Sequence, residues 1–177
     1  MQRRWLVTLQ KLPASGRQWD TDVPRTLLQD QTCGTVDVLS GLCGDLHWQL
    51  TLEKSGGVFR MSGQWSGAMK RSCGRCNGQF DWQMTGETER VYQFGTDPGD
   101  DESEIVCEYL AAPGEINLVD VLREDVWLAW KAGVICSDSC KGLCQGCGVN
   151  LNRSTCQCKQ DDSDHPFAAL RGLKLED

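Results

Sequence analysis

The segment from Cys136 to Cys158 constrains this chain more than any other, because it holds six cysteines in 23 residues. Their spacing is C-x3-C-x3-C-x2-C-x8-C-x-C. The two-residue gap between Cys144 and Cys147 allows both thiolates to point at one tetrahedral ion, and Gly148 allows the backbone to turn back toward the sulfurs. This pattern is typical of a zinc knuckle.

The length and the cysteine count favour metal binding over disulfides. A chain of 177 residues can bury a core without covalent cross-links. The apolar run Trp5–Leu9 is shorter than the core of a signal peptide, and no stretch is long enough to span a membrane. We therefore expect a cytoplasmic protein, where clustered cysteines more often bind metal. The odd number of cysteines, 11, also argues against complete pairing.

Charge is distributed unevenly along the chain. Six acidic residues and no basic ones occur between Asp97 and Glu108, so the remainder is nearly neutral despite a formal net charge of −7. A strongly basic surface is therefore not indicated, and 97–104 is most simply a solvated acidic loop. Basic residues do flank the cysteines, where they either offset thiolate charge or contact RNA phosphates. These RNA-contact candidates are Lys70, Arg71, Arg75, Lys141 and Arg153.

Residues 1–112 predict a mainly antiparallel β domain, either a sheet or barrel-like. Residues 46–53 alternate apolar and polar side chains, as in a strand with one buried face. A turn at 55–57 and continued alternation over 59–69 predict a hairpin. The pair Cys73 and Cys76 then forms a knuckle before a further strand. Short strands are also predicted at Trp5–Leu9, Thr35–Leu39 and Ile105–Leu110, and an irregular passage at Lys11–Arg25.

Residues 113–177 predict one long packing helix, a small cysteine-rich zinc module and a short helical tail. Asn117 is the expected N-cap, with Asp120 near the positive end of the helix. Apolar residues then recur at helical spacing, and Trp127 and Trp130 widen the apolar face. The fold class is therefore α+β.

Eight cysteines match the requirement of two four-thiolate sites. They are Cys73, Cys76, Cys136, Cys140, Cys144, Cys147, Cys156 and Cys158. A single ion would need only four, for which Cys140, Cys144, Cys147 and Cys158 are the preferred set and Cys73 and Cys76 the alternative second pair, and spacing does not choose between them. Zinc is favoured over iron. The remaining Cys33, Cys43 and Cys107 are expected to be small buried side chains.

Catalysis is not expected, and no catalytic residue or small-molecule substrate is predicted. A closed sulfur shell leaves no open position for water. A thioredoxin-like role for Cys73 and Cys76 would require a helix after the pair, whereas the sequence there alternates as a strand. Of the two histidines, His47 lies in an alternating strand, where a surface or satisfied histidine is the simpler interpretation, and the other is His165.

Several of these motifs together resemble the YceD family, also called DUF177. The resemblance is carried by Glu115-Ile116-Asn117-Leu118, by Cys140-Lys141-Gly142-Leu143-Cys144 and by Asn150-Leu151-Asn152. The internal pair at Cys73 matches the family's Cys-x-Arg-Cys. The tail from His165 to Leu173 is similar to the family's closing motif, with His165 for Asp and Phe167 for Arg. The similarity covers roughly residues 45 to 175.

The resemblance implies a non-catalytic role in accumulation of large-subunit (23S) ribosomal RNA. Its expected partners are that RNA, a large-subunit ribosomal protein or both, with one or two structural zinc ions and no membrane. An alternative is a zinc-stabilised protein adaptor that does not contact RNA, which the nearly neutral body favours.

Overall fold

The structure, a computed structural model, describes residues 4–29, 37–96 and 107–158. Three predicted features lie outside the described residues, namely the acidic segment 97–104, Cys33 and the tail from His165 to Leu173. The interpretations of these features stay predictions. Within the described ranges, no helix is long and apolar enough to cross a membrane.

Seven strands and two helices make up the described fold. The strands are β1 Leu6–Thr8, β2 Arg17–Val23, β3 Leu46–Ser55, β4 Val58–Ser72, β5 Gln79–Phe94, β6 Glu108–Leu110 and β7 Glu115–Asn117. The helices are α1 Arg25–Leu28 and α2 Leu118–Leu128. The larger sheet has the order β2-β3-β4-β5-β6, with β6 parallel to β5 and the other pairs antiparallel. A small second sheet pairs β1 with β7. The mainly antiparallel α+β prediction is therefore confirmed at this level.

The hairpin of β3 and β4 forms as the alternating sequence predicts. Trp48 and Leu50 point into the core from β3, and Trp65 pairs opposite Trp48 from β4. Two short segments differ from prediction. The passage 11–25 contains β2, because backbone pairing with β3 orders a strand whose own side chains are mostly polar. Residues Val38–Gly41 form a 3-10 turn rather than a strand, since the Asp37 carboxylate accepts from the Leu39 backbone N–H.

Helix α2 covers one face of the sheet and begins where the sequence predicts. The Asn117 side chain accepts from the Val119 backbone N–H at 3.2 Å and so acts as N-cap. Leu118, Leu122 and Val126 are fully buried. The prediction for the far end is wrong, because Trp127 is 44% and Trp130 is 37% exposed instead of extending the buried face.

A buried hydrogen-bond chain fixes α2 against the sheet. The Trp48 indole donates to the Thr88 hydroxyl at 3.2 Å, and that hydroxyl donates to the Asp125 carboxylate at 2.6 Å. The Arg90 guanidinium donates to the other Asp125 oxygen at 2.6 Å. Burial raises the pKa of Asp125, while the bonds from Thr88 and Arg90 oppose that rise. These hydrogen bonds therefore give a partner to each polar group that the helix buries.

Two sets of contacts cross the predicted domain boundary at residue 112. Strand β7 pairs with β1, and α2 packs against β5. The division into residues 1–112 and 113–177 therefore follows composition, and as a domain boundary it stays a prediction.

Asp125→Ala should destabilise the fold by about 3 kcal/mol, because removing one partner leaves the other charge and a buried hydroxyl unpaired. Glu124→Ala is the matched control, since Glu124 also contacts Arg90 but is exposed. Its cost should stay below about 1 kcal/mol. Urea unfolding followed by tryptophan fluorescence measures both, and equal effects would contradict a buried role for Asp125.

Candidate metal centres

The turn between β4 and β5 positions the first pair of cysteines. The Cys73 backbone N–H donates to the Gly78 carbonyl, and the Asn77 N–H donates to the Cys73 carbonyl, both at 2.9 Å. Asn77 has a φ of 54°, which lets the chain reverse in a few residues. The hairpin therefore places the Cys73 and Cys76 side chains on the same side of a tight knuckle.

The segment after α2 brings a second pair of cysteines to this knuckle. The Gly74 backbone N–H donates to the Val134 carbonyl at 2.8 Å, which holds the two segments side by side. The sulfurs of Cys73 and Cys140 then lie 3.8 Å apart, as do those of Cys76 and Cys136. We call these four residues the first cluster. It is mostly buried, and Cys73 is only 2% exposed.

The second cluster is Cys144, Cys147, Cys156 and Cys158, all from one short segment. The Gly148 backbone N–H donates to the Cys144 carbonyl at 2.8 Å, and its φ of 72° permits the knuckle turn. The Cys156 sulfur lies 3.1 Å from that of Cys144 and 3.5 Å from that of Cys147. Cys147 and Cys158 are exposed and the other two are half-buried. This cluster is therefore local in sequence and open to solvent.

Both clusters have the composition and the spacing of metal sites. In each, the four sulfurs lie within 4.8 Å of one another, so two groups could each hold an ion. Zinc with sulfur ligands at about 2.3 Å requires sulfurs about 3.8 Å apart in a tetrahedron, which is the spacing of the first cluster. The second cluster is tighter, and its closest sulfurs, 3.1 Å apart, are still not bonded, since a disulfide bond is about 2 Å long.

One detail of the sequence interpretation is wrong. The set preferred for a single ion, Cys140 with Cys144, Cys147 and Cys158, is not one group, because Cys140 lies in the first cluster. Closeness in sequence therefore does not decide which cysteines group together. The contact that recruits Cys140 joins residues 67 positions apart.

Backbone N–H groups donate to sulfur in both clusters and favour the thiolate form. The N–H of Cys76 lowers the pKa of Cys73 to about 6, and the N–H of Cys147 lowers the pKa of Cys144 to about 6. Hydrogen bonding with Cys140 raises the pKa of Cys136 to about 12, and hydrogen bonding with Cys156 does the same for Cys158. Each cluster therefore combines an easily ionised thiol with one that keeps its proton.

Asn152 was not singled out as a separate site residue, although it lies in the Asn-Leu-Asn motif. Its amide donates to the Cys140 sulfur at 3.4 Å, and its side-chain oxygen accepts from the Lys141 backbone N–H at 2.8 Å. Asn152 therefore links the segment of the second cluster to the first cluster. Gly142 contributes to the same junction, since its φ is 74° and a Cβ there would lie 3.2 Å from the Arg75 carbonyl oxygen.

The five basic candidates are in different environments. Lys70 pairs with Asp81 at 3.1 Å, and the Arg75 guanidinium donates to the carbonyls of Asp138 and Cys140, each at 3.3 Å. The Arg71 guanidinium lies over the rings of Trp82 and Trp130, and it donates to the Lys131 carbonyl at 2.6 Å. In the part of the chain that the structure describes, the exposed side chains of Lys141 and Arg153 have no hydrogen bond or ion pair.

Cys43, Cys107 and His47 lie outside both clusters. Cys43 is exposed and lies 3.6 Å from an Asp81 oxygen, so the prediction that it is buried is wrong. Cys107 is only half-buried. His47 contacts Asp22 at 3.0 Å on the outer face of the sheet, as expected for a satisfied surface histidine. A groove of about 740 Å³ on that face is lined by neither a cysteine nor a histidine.

Comparison with known proteins assigns the chain to a family. The family described as "Large ribosomal RNA subunit accumulation protein YceD" matches residues 61–174, which include both clusters. The chain belongs to the YceD family. This membership confirms the resemblance seen in the motifs. No solved structure is significantly similar.

Two plant proteins are similar to part of the chain. The chloroplastic YCED homolog 1 of Arabidopsis thaliana is 34% identical over 65 residues, which are 35% of this chain and 20% of that protein. The chloroplastic YCED homolog 1 of Zea mays is 42% identical over 50 residues, which are 28% and 17% of the two chains. Both are named for large ribosomal RNA subunit accumulation. The alignments thus span no more than a fifth of these relatives.

Metal binding to the metal-free protein should release protons at pH 7. Cys73 and Cys144 are already ionised there, but Cys136 and Cys158 must lose protons to become ligands. Zinc affinity should therefore rise with pH above 7 and fall steeply as pH drops through about 6, where the first two thiolates are protonated.

Calorimetric zinc titrations in two buffers of different ionisation enthalpy measure this release directly. Cys43→Ser is the control and should behave as the unchanged protein, since Cys43 lies in neither cluster. Binding heats that do not depend on the buffer would contradict the assigned protonation states.

Proposed function

We propose that this protein is a non-catalytic factor that supports accumulation of large-subunit (23S) ribosomal RNA and assembly of the large ribosomal subunit. The observation that carries this proposal is the YceD family match over residues 61–174. The two plant relatives are named for accumulation of the large ribosomal RNA subunit, which agrees with the first part of this role. Because the chain aligns with only a small part of each relative, the proposed role rests on family membership and not on similarity to the whole of either protein.

We further propose that each cluster holds one structural zinc ion. The four cysteine sulfurs of each cluster lie within 4.8 Å of one another, and around one zinc ion they would form a closed tetrahedral shell that leaves no position for a substrate. The thiolates of the first cluster would hold the β4–β5 turn to the segment after α2. The thiolates of the second cluster would hold the turn at Cys144 and Cys147 to the end of the described chain at Cys156 and Cys158. In this proposal the ions maintain a surface and take no part in chemistry.

RNA contact, if direct, is assigned to the cations whose side chains are available. Lys141 and Arg153 are exposed and lie in the segment that connects and surrounds the clusters. Lys70 and Arg75 already contact oxygen atoms, which reduces their capacity to bind phosphate, and Arg71 is enclosed by two indole rings. We propose Lys141 and Arg153 as the main phosphate contacts.

A second candidate is a zinc-stabilised adaptor that binds a protein and not RNA. The observation that favours it is the exposed apolar end of α2, where Leu128 is 75% exposed beside Trp127. Neighbouring apolar side chains that are exposed together can contribute to a protein contact when they form a contiguous patch. A large-subunit ribosomal protein is then the proposed partner. The proposed compartment is one that contains ribosomes, either the cytoplasm or, as for the two relatives, a chloroplast.

Loss of the protein should lower the ratio of large-subunit to small-subunit ribosomal RNA, and the unchanged gene should restore it. A variant with Cys73→Ser and Cys76→Ser should bind one zinc ion instead of two and should fail to restore the ratio, because the first cluster is removed. Cys43→Ser is the matched control and should restore it fully. RNA electrophoresis and metal analysis measure the two effects. An unchanged ratio after loss of the protein would overturn the proposed role.

Salt dependence separates the two candidates. If Lys141 and Arg153 contact phosphate, the affinity for large-subunit RNA fragments falls with salt, and Lys141→Ala with Arg153→Ala lowers the log–log slope by about 0.7–0.9 per contact. Lys11→Ala is the control, since Lys11 is exposed and lies outside both clusters. Retention on pre-ribosomal particles with no salt dependence would instead favour the adaptor.

A further inference from the structure

The two clusters differ in their access to solvent. Three of the four cysteines in the first cluster are buried, and Phe80 and Ile135 pack against them. In the second cluster no cysteine is buried, and both Cys147 and Cys158 are exposed. A small dissolved oxidant can therefore reach the sulfurs of the second cluster more easily than those of the first.

The clusters also differ in how the rest of the fold supports them. The first cluster joins a hairpin turn to a segment about 60 residues away, and the Cys73 sulfur accepts backbone N–H groups from Arg75 at 3.4 Å and Cys136 at 3.3 Å. The second cluster draws all its ligands from residues 144–158. Opening it would leave the core contacts of the sheet and of α2 unchanged.

The sulfurs of the second cluster are close enough to form a disulfide after a small movement. The Cys156 sulfur lies 3.5 Å from that of Cys147, and a disulfide needs about 2 Å. Residues 144–158 contain no strand or helix, and their one described β-bridge joins Asn150 to Leu143, so this movement breaks no strand or helix of the fold.

From this contrast we propose that the second cluster is a site of reversible oxidation by hydroperoxides, while the first is a protected structural site. The proposal rests on the zinc part of the proposed function and goes beyond it. The substrate class is a small hydroperoxide such as hydrogen peroxide. The outcome is release of one metal ion and retention of the other.

The reaction balances in two steps. The exposed Cys147 thiolate attacks a peroxide oxygen, the O–O bond breaks, and a sulfenic acid and hydroxide form. The Cys156 thiolate then attacks the Cys147 sulfur, a disulfide forms, and a second hydroxide leaves. The two sulfurs lose two electrons and the peroxide gains them. Only Cys144 and Cys158 then remain as ligands, and two thiolates hold an ion far more weakly than four.

Oxidation has a local consequence. Arg153 lies between the cysteines of the second cluster, and Asn152 connects that segment to Lys141 and to the Cys140 sulfur. Release of the ion removes a restraint on the segment that presents Arg153, whereas Lys141 stays next to Cys140 in the first cluster. The proposed phosphate contact of Arg153 thus loses its fixed position while the sheet stays folded.

The test uses the full-length zinc-loaded protein and stepwise addition of hydrogen peroxide. Native mass spectrometry counts bound zinc, and peptide mapping after alkylation identifies the oxidised cysteines. The expected result is a fall from two ions to one, with a Cys147–Cys156 disulfide and with Cys73, Cys76, Cys136 and Cys140 still reduced. Dithiothreitol with added zinc should restore two ions.

Two variants sharpen the assignment. Cys147→Ser should abolish the Cys147–Cys156 disulfide while the first cluster keeps its ion, and Cys43→Ser should respond as the unchanged protein. Parallel loss of both ions, or earlier oxidation of the first cluster, would overturn this proposal alone. Protein that contains no zinc before peroxide is added would overturn it together with the proposed zinc sites. The ribosomal RNA measurement is independent of either result.

Discussion

The convergence of four sulfurs between the β4–β5 turn and the segment after α2 is the contact on which the C-terminal part of the structure depends. Between residues 131 and 158, Val134 and Cys140 are the only hydrophobic side chains that the described structure buries. Two buried side chains cannot offset the cost of ordering more than twenty residues. The segment therefore needs the sulfur contacts, and the ions proposed for them, to have a defined conformation.

The large sheet supplies the other two cysteines of the first cluster. The long hairpin of β4 and β5 extends beyond the part of the sheet covered by α2, and its turn carries Cys73 and Cys76. The hydrogen bonds from Trp48 to Thr88 and from Thr88 to Asp125 fix α2 on the sheet. Arg71 then connects the end of β4 to the carbonyls that follow α2. These contacts hold the chain next to the knuckle without any contribution from the sulfurs.

The parts of the fold that could be predicted are those in which local pattern and tertiary packing agree. The alternation in β3 and β4 is visible in the sequence because every second side chain packs into the core. The N-cap is visible because the Asn117 side chain bonds to the backbone only two residues away. Strand β2 was missed because its order comes from pairing with β3 and not from its own side chains. Trp127 was expected to widen the apolar face of α2, yet it is 44% exposed, because the spacing of apolar residues along a helix does not tell how far the core extends beneath it. The eight cysteines were identifiable as candidates, but their division into two groups depends on pairs that are 60 and 67 residues apart.

The charge of the proposed zinc sites bears on how the basic residues should be interpreted. A divalent ion with four thiolates carries a net charge of about −2, so two such sites place about −4 in a small module. The Arg75 guanidinium lies against carbonyl groups of the first cluster, where it offsets part of this charge. Basic residues near the cysteines are thus required even in a protein that never meets RNA. Whether the protein binds RNA must therefore be judged from the cations that project away from the sulfurs into solvent. Among the five basic candidates, Lys141 and Arg153 are the ones whose side chains have no other described partner.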